Sequence, residues 1–237
     1  MTKDDPTDLR LVDEAQSGTT RAAVLGISDG LVTNVSLILG VAGANADADF
    51  VRLAGLASLV AGAGSMAVGE YISMQAQREL LERVLTDARE ELHSDPQAMT
   101  AKLTRIFEGT GVHGDDARHA AETVAKDPEQ ALNTYVRTGL GFNPSELGSP
   151  VAAAFSSLVT FALGAAIPLV PWYVWSGDRA ALASILLGGL SALVIGGYLG
   201  WQTGKGVVFS AIRQLLVVAV AASITYLVGR MFRVRVT

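Results

Sequence analysis

Five long runs of apolar residues, separated once by a polar segment, dominate the pattern of the chain. A bilayer core about 30 Å thick needs about 20 mostly apolar residues in a helix, because only a helix satisfies its own backbone polar groups in hydrocarbon. The runs that reach this length are residues 22–44, 50–76, 151–174, 180–203 and 206–231. We therefore predict an all-α integral membrane protein with five transmembrane helices and a helical soluble insert between spans two and three.

The polar segment itself has the pattern of several amphipathic helices. Apolar side chains recur at helical spacing over residues 79–92, which continue directly from the second span. Asp95-Pro96 and Asp127-Pro128 each combine a capping aspartate with a proline, a pairing that favours the start of a new helix. Between them, Asp115 or Asp116 is expected to cap a third helix.

These boundaries divide the chain into five predicted parts. They are a polar tail (1–21), transmembrane helices one and two (22–78), the acidic insert (79–148), transmembrane helices three to five (149–232) and a short tail (233–237).

Charge is segregated in the same way. The chain is 50% hydrophobic and 17% charged, with a formal net charge of −5 and a mean hydropathy of +0.36. Between residues 79 and 146 there are 13 acidic and 7 basic residues, and all three histidines lie there. The excess of acid argues against a nucleic-acid partner. The absence of cysteine excludes disulfides and thiolate metal sites.

The ends of the spans indicate how the chain inserts. The first twenty residues lack the basic start and short apolar core of a signal peptide, so the first span is expected to direct insertion. Most lysines and arginines near the span ends lie inside if the insert is cytoplasmic, which is the orientation that we predict.

Two carboxylates within the apolar runs are the leading candidates for chemistry. Asp29 lies in the first span and Glu70 in the second, and an ionisable group at that depth is by default a functional candidate. Met66 comes four residues before Glu70 and therefore lies on the same face of the helix. Carboxylate oxygen suits manganese or ferrous iron, while thioether sulfur disfavours magnesium and calcium.

Structural explanations remain open for each of these residues. A single methionine in an apolar helix is usually a packing residue. Asp29 and Glu70 could instead make structural hydrogen bonds between helices. Arg213, near the start of the fifth span, is interpreted as an arginine that extends its charged end to the membrane interface.

The insert offers a weaker metal-binding pattern. Glu90 and His93 have an i, i+3 spacing that places both on one helical face, and His119 and Glu122 repeat it in reverse order. Di-iron bundles use two such pairs with further glutamates. A solvated acidic face accounts for the same residues more simply.

The strings LGISDGLVTNVSLILGVAGA in the first span, LVAGAGSMAVGEYISMQAQREL in the second and TFALGAAIPLVPW in the third carry a resemblance. They resemble segments of the vacuolar iron transporter family, including its bacterial members. The resemblance extends over residues 21–232, with the same two-plus-three arrangement of spans around a soluble insert. SDGLVTN and SMAVGEY are its most specific parts, and by them the chain is identified as a member of the family. Its compact length favours the bacterial type.

The resemblance implies a dimeric, proton-coupled exporter of ferrous iron and related divalent ions, with the ion path at the dimer interface. It implies that Asp29 and Met66 lie on that path, and it matches Glu70 to the glutamate of a GEY-like motif. In the family the insert is a helical metal-binding domain whose glutamates and methionines gather ions.

The insert departs from the family pattern. At positions where the family has glutamates, this chain has Ala88, Glu91, Met99, Lys102 and Gly139. We therefore expect the insert to keep its helical fold and to have lost most of its metal cage. Glu91, together with Glu90 and His93, remains the candidate metal-binding set there.

We predict a membrane transporter that exports ferrous iron and/or manganese from the cytosol in exchange for protons. Its predicted partners are the ion, protons, the lipid bilayer and a second copy of the chain, with no resident cofactor. No phosphate-binding glycine loop or serine triad is recognisable, so no enzyme activity is predicted. The alternatives are a non-transporting protein whose insert is an interaction or sensory module, and a transporter of another solute. The bacterial plasma membrane is favoured, or the vacuolar membrane if the source is eukaryotic.

Overall fold

The computed structural model of the protein describes residues 18–141 and 148–232. Its helices, in chain order, are α1 (Gly18–Gly43), α2 (Ala48–Ser94), α3 (Pro96–Gly109), α4 (Asp115–Val124), α5 (Pro128–Thr134), α6 (Pro150–Leu169), α7 (Pro171–Val174), α8 (Gly177–Gln202) and α9 (Val207–Met231). A π-helical segment, Tyr135–Gly139, follows α5 directly.

Five of these helices, α1, α2, α6, α8 and α9, are long and apolar enough to cross a membrane. The prediction of an all-α membrane protein with five spans is thus confirmed. The described residues between 73 and 148 form one compact unit, the insert unit, while the described residues before and after them form a second one, the membrane unit.

The third span is shorter than predicted. The apolar run continues to residue 174, but α6 ends at Leu169 and a separate helical turn begins at Pro171. Pro171 has no N–H to donate to the preceding turn, so the helix cannot continue through it with unbroken hydrogen bonding. The Ser184 hydroxyl donates to the Pro168 carbonyl (2.7 Å) and the Trp172 indole donates to Ser184 (3.1 Å), which fixes this corner against α8.

Helices α1 and α6 make the most extensive contact in the membrane unit. A β-carbon placed on Gly30 would collide with the backbone of Phe161, and one on Gly164 would collide with the backbone of Ile27. Small residues let helix backbones approach in this way within a membrane. The fully buried Asn34 side chain donates to the Ala165 carbonyl at 2.6 Å, which adds a hydrogen bond to this contact.

Helix α9 completes the bundle by packing on α8 and α1. The buried side chains that these helices share are Leu31, Val35, Leu39, Ala192, Val218 and Ala222. Gly229 lies so close to the backbone of Gly40 that no side chain would fit between them. The start of α2 is held to α7 by Arg52, whose Nε donates to the Trp172 carbonyl at 2.6 Å.

The insert unit has its own apolar core. Its buried residues are Ala88, Leu92, Met99, Leu103, Ala121, Ala131 and Leu132. The Asp95 side chain accepts from the amides of Gln97 and Ala98 and thereby caps α3, and Asp127 caps α5 in the same way.

The predicted cap of α4 was wrong. Its N-cap is Gly114, with φ of 64°, while Asp115 and Asp116 lie in the first helical turn. A left-handed backbone at the cap favours glycine, and carboxylates in the first turn interact favourably with the helix dipole without capping it.

Candidate functional site

Glu70 is largely enclosed within the membrane unit and carries a partner there. Its side chain is 11% exposed, and its Oε1 lies 3.2 Å from Nη2 of Arg21 on α1. The arginine side chain is 58% exposed, so the ion pair has one sheltered end and one open end. A carboxylate in an apolar span needs such a partner, a proton or a bound cation, because an isolated charge there is costly.

Asp29 is placed differently. It lies on α1 at an exposed position, and its Oδ1 accepts a hydrogen bond from the Thr33 hydroxyl at 3.4 Å. Thr33 follows one helical turn later, which brings the two side chains onto the same face. The two carboxylates therefore have different partners: Arg21 for Glu70 and Thr33 for Asp29. Asp29 therefore retains free acceptor positions on a span surface.

Met66 lies one turn before Glu70 on α2, as the spacing predicted. It is partly buried and packs against the apolar cluster formed by Ala63, Phe161 and Ala165. Its thioether therefore has a packing role in this structure, on the same helix face as the Glu70 carboxylate. The two residues together present one charged oxygen ligand and one soft sulfur ligand.

Arg21 and Thr33 are site residues that the sequence reasoning did not select. In the sequence, Arg21 counted only as one of the basic residues that predict membrane orientation. A basic residue beside the first span, in a chain with an acidic residue in the second, is a signal that could have suggested a pair. Thr33 could have been found from its i+4 spacing to Asp29 alone.

In the insert unit, the Glu91 carboxylate forms an ion pair with a lysine side chain. The Lys102 ammonium contacts Glu91 Oε2 directly, and its Nζ lies 5.6 Å from the centre of the Tyr135 ring. Glu90 and His93 are exposed. Within residues 18–141 and 148–232, no three histidine, aspartate or glutamate side chains gather where they could hold a metal ion. Metal binding at Glu90, Glu91 and His93 thus stays a prediction.

Two other positions at which the family resemblance predicts glutamates are occupied by packing residues in this chain. Met99 is fully buried in the core of the insert unit. A β-carbon at Gly139 would come within 3.2 Å of Ile106 Cγ1 and closer still to its Cδ1, so a larger side chain there would displace Ile106. Both positions contribute to packing in this chain.

Five apolar helices, with carboxylates on the first two, define a multi-pass helical membrane protein that holds charged groups within its spans. The chain belongs to the VIT family, which it matches over residues 20–230.

Several plant proteins are similar to it over most of their length. A vacuolar iron transporter from Centaurea cyanus is 27% identical over 88% of this chain and 85% of its own. Vacuolar iron transporter 1 from Arabidopsis thaliana is 28% identical, covering 89% and 84%. Vacuolar iron transporter homolog 2 from Oryza sativa subsp. japonica is 34% identical, covering 90% and 89%. These relatives are named as transporters, which confirms the prediction that the chain is not an enzyme.

Proposed function

We propose that the protein moves ferrous iron and/or manganese out of the cytosol in exchange for protons. The observation that carries the proposal is the Glu70 carboxylate, sheltered within the membrane unit and paired with Arg21. Membership of the VIT family and the names of its plant relatives support a metal ion as the transported solute.

The ligand types support a transition metal. Asp29 and Glu70 supply hard carboxylate oxygens, and Met66 supplies a soft thioether one turn from Glu70. A site that mixes both types suits ferrous iron or manganese better than magnesium or calcium. The absence of cysteine leaves methionine as the only soft sulfur ligand available to the chain.

Exchange follows from competition for one negative charge. When no ion is bound, the Arg21 guanidinium neutralises Glu70. A metal ion that reaches Glu70 must displace this guanidinium, and a proton that binds the carboxylate removes the charge that attracts the metal. Because proton and metal cannot both occupy the same carboxylate oxygens, loading one releases the other.

The proposal includes a homodimer in the bacterial plasma membrane. Asp29 lies exposed on α1, and a carboxylate on the lipid-facing side of a span is costly unless another protein surface or water covers it. A second copy against this face would supply that cover. The insert, residues 79–148, is proposed as a soluble helical domain with a degenerate metal site.

The test is metal flux into proteoliposomes across an imposed pH gradient, measured for ferrous iron and for manganese. Three proteins are compared: the native chain, Asp29→Ala and Glu91→Ala. We expect the native chain and Glu91→Ala to transport at similar rates, because Lys102 already occupies Glu91. Asp29→Ala is expected to lose at least about tenfold in rate, the factor for one charged ligand.

Two results would reject the proposal. Undiminished flux in Asp29→Ala would remove Asp29 from the ion path. No flux of either metal in the native chain would favour the non-transporting protein or a different solute.

A further inference from the structure

A cleft at one end of the membrane unit holds charged groups that the proposed ion path does not include. It has a volume of about 890 Å³ and is bounded by the end of α1, the start of α8 and the end of α9. Asp178 of α8 and Arg230 of α9 both line it. It is separate from Glu70, Arg21 and Asp29, none of which contributes to its lining.

The two charges are available for a ligand. Asp178 lies in the first turn of α8 and Arg230 in the last turn of α9, which are favourable ends for their signs. Neither forms an ion pair with the other or with any further residue in the described part of the chain. The cleft therefore presents one anion and one cation that do not neutralise each other directly.

The other residues that line the cleft form a polar group and an apolar group. Asn45 and Tyr226 add an amide and a hydroxyl to the charged residues. The apolar lining residues include Leu39, Leu182, Ile185 and Ala219. Leu182 and Ile185 are exposed on the surface of a predicted span, where the surrounding solvent is lipid. The cleft thus combines a polar, charged part with an apolar part, an arrangement that complements an amphiphilic ligand.

We infer that this cleft binds a phospholipid whose headgroup carries both a phosphate and a primary ammonium, of the phosphatidylethanolamine type. Arg230 would hold the phosphate, which a guanidinium can bind through two parallel hydrogen bonds. Asp178 would accept from the ammonium. One acyl chain would lie against the apolar side chains of α8 and α9.

The inference distinguishes among common headgroups. A phosphatidylglycerol headgroup has a phosphate but no cation for Asp178. A phosphatidylcholine headgroup has a cation without N–H donors, so it cannot hydrogen-bond to the carboxylate. Of these three headgroups, the ethanolamine headgroup alone matches both charged side chains with hydrogen bonds.

The test is native mass spectrometry of the purified full chain with equal amounts of the three lipids. We expect the native protein to retain phosphatidylethanolamine most. Arg230→Gln should reduce retention of all three lipids by about tenfold, the factor for one charge-assisted hydrogen bond. Asp178→Asn should remove the preference for phosphatidylethanolamine over phosphatidylglycerol while leaving phosphate binding.

Two further variants distinguish a loss of lipid binding from a loss of folding. Arg179→Gln removes the neighbouring charge, which does not line the cleft, and should behave as the native chain. Arg230→Lys keeps a cation and should retain more lipid than Arg230→Gln. Equal retention of phosphatidylethanolamine by the native chain and Arg230→Gln would overturn the inference. So would a native preference for phosphatidylglycerol, or variants that change only the ratio of monomer to dimer, which would make the cleft an interface between copies.

Discussion

The Glu70 carboxylate is both sheltered and charged, and Arg21 explains how. With an Nη2 to Oε1 distance of 3.2 Å, the guanidinium supplies the charge that the apolar surroundings do not. Exposed ion pairs contribute about 0.2–1 kcal/mol, and this range is a minimum here because the Glu70 side chain is only 11% exposed. A bound ion that takes over the charge of Glu70 can displace Arg21 without burying the guanidinium, whose side chain is 58% exposed.

Removing the Arg21 charge should strengthen metal binding at Glu70. For Arg21→Gln we expect the metal KM for transport to fall by at least about twofold, since even a surface ion pair corresponds to a factor of this size. Arg21→Lys, which keeps the charge, should remain close to native. The measurement is initial flux in proteoliposomes as a function of manganese concentration.

Arg78→Gln is the matched control for this prediction. Arg78 is also an exposed arginine and has no ion pair among residues 18–141 and 148–232, so its replacement should leave KM unchanged. A KM that rises in Arg21→Gln would contradict competition between the arginine and the metal. It would mean that Arg21 instead orients the residues of the ion path.

Helix packing in the membrane unit depends on glycines at contacts where backbones meet. Gly164 of α6 faces the backbone of Ile27, whereas Gly64 of α2 has no atom within 4 Å of the place where a side chain would begin. Two glycines of the same type in predicted spans thus occupy opposite environments. Sequence alone does not separate them, because both lie in apolar runs rich in small residues.

Gly164→Ala is expected to destabilise the protein by about 1–3 kcal/mol, the usual cost of overpacking, because the new methyl group would require α1 and α6 to separate. Gly64→Ala should cause no loss, since its methyl group would enter open space. Thermal unfolding of the purified proteins in the same detergent compares them. Equal losses in both variants would contradict the assigned packing of α1 on α6.

In the insert unit, a lysine lies where a metal cation could otherwise bind. Lys102 on α3 contacts Glu91 near the end of α2 and lies close to the Tyr135 ring. An ammonium in this position balances the charge of the Glu91 carboxylate and would compete with a metal ion for it.

Replacing this lysine by a carboxylate should restore a response to metal. In Lys102→Glu, two carboxylates would face each other without the ammonium, and their repulsion would be relieved by a divalent cation. We expect manganese to raise the melting temperature of Lys102→Glu more than that of the native chain, in which only the proposed transport site binds the ion. Arg105→Glu makes the same change of charge at an exposed position on α3 and should respond no more than the native chain. An equal manganese response in the native chain and Lys102→Glu would show that the Lys102 contact does not block the site.

At the scale of the whole molecule, hydrophobic length was enough to predict five spans, and the Asp-Pro pairs were enough to place the starts of α3 and α5. Periodicity could not predict the break before Pro171, because the side chains on both sides of it are apolar. The signal for that break is Pro171 itself, which indicates the end of the third span. Periodicity also could not predict Arg21 beside Glu70, since 49 residues separate them in sequence. Contacts between distant helices require the packing of α1, α2 and α6, which no local pattern specifies.

The proposed second copy would bind where an exposed charge lies on a span. Low burial alone does not select that surface, because 44% of residues are buried in the most apolar window of α1, against 22% in α2 and 17% in α9. The exposed surface beside Asp29 is the part whose contact with lipid is most costly. Leu25, one turn before Asp29, is 52% exposed and lies on that surface.

The absence of cysteine makes this prediction simple to test. A Leu25→Cys variant, treated with a short thiol-reactive cross-linker in the membrane, should form a covalent dimer. Leu190→Cys on α8, which is also exposed but has no carboxylate beside it, should stay mostly monomeric. Equal cross-linking of both variants, or none at Leu25→Cys, would contradict a dimer that covers Asp29.

The most direct test of metal–proton exchange at Glu70 is to record manganese entry and lumenal pH in the same proteoliposomes. We predict that manganese entry through the native chain makes the lumen more alkaline, because protons leave as the ion enters, and that Glu70→Gln abolishes both signals. Manganese entry without a change in lumenal pH, or equal entry through Glu70→Gln, would contradict the account.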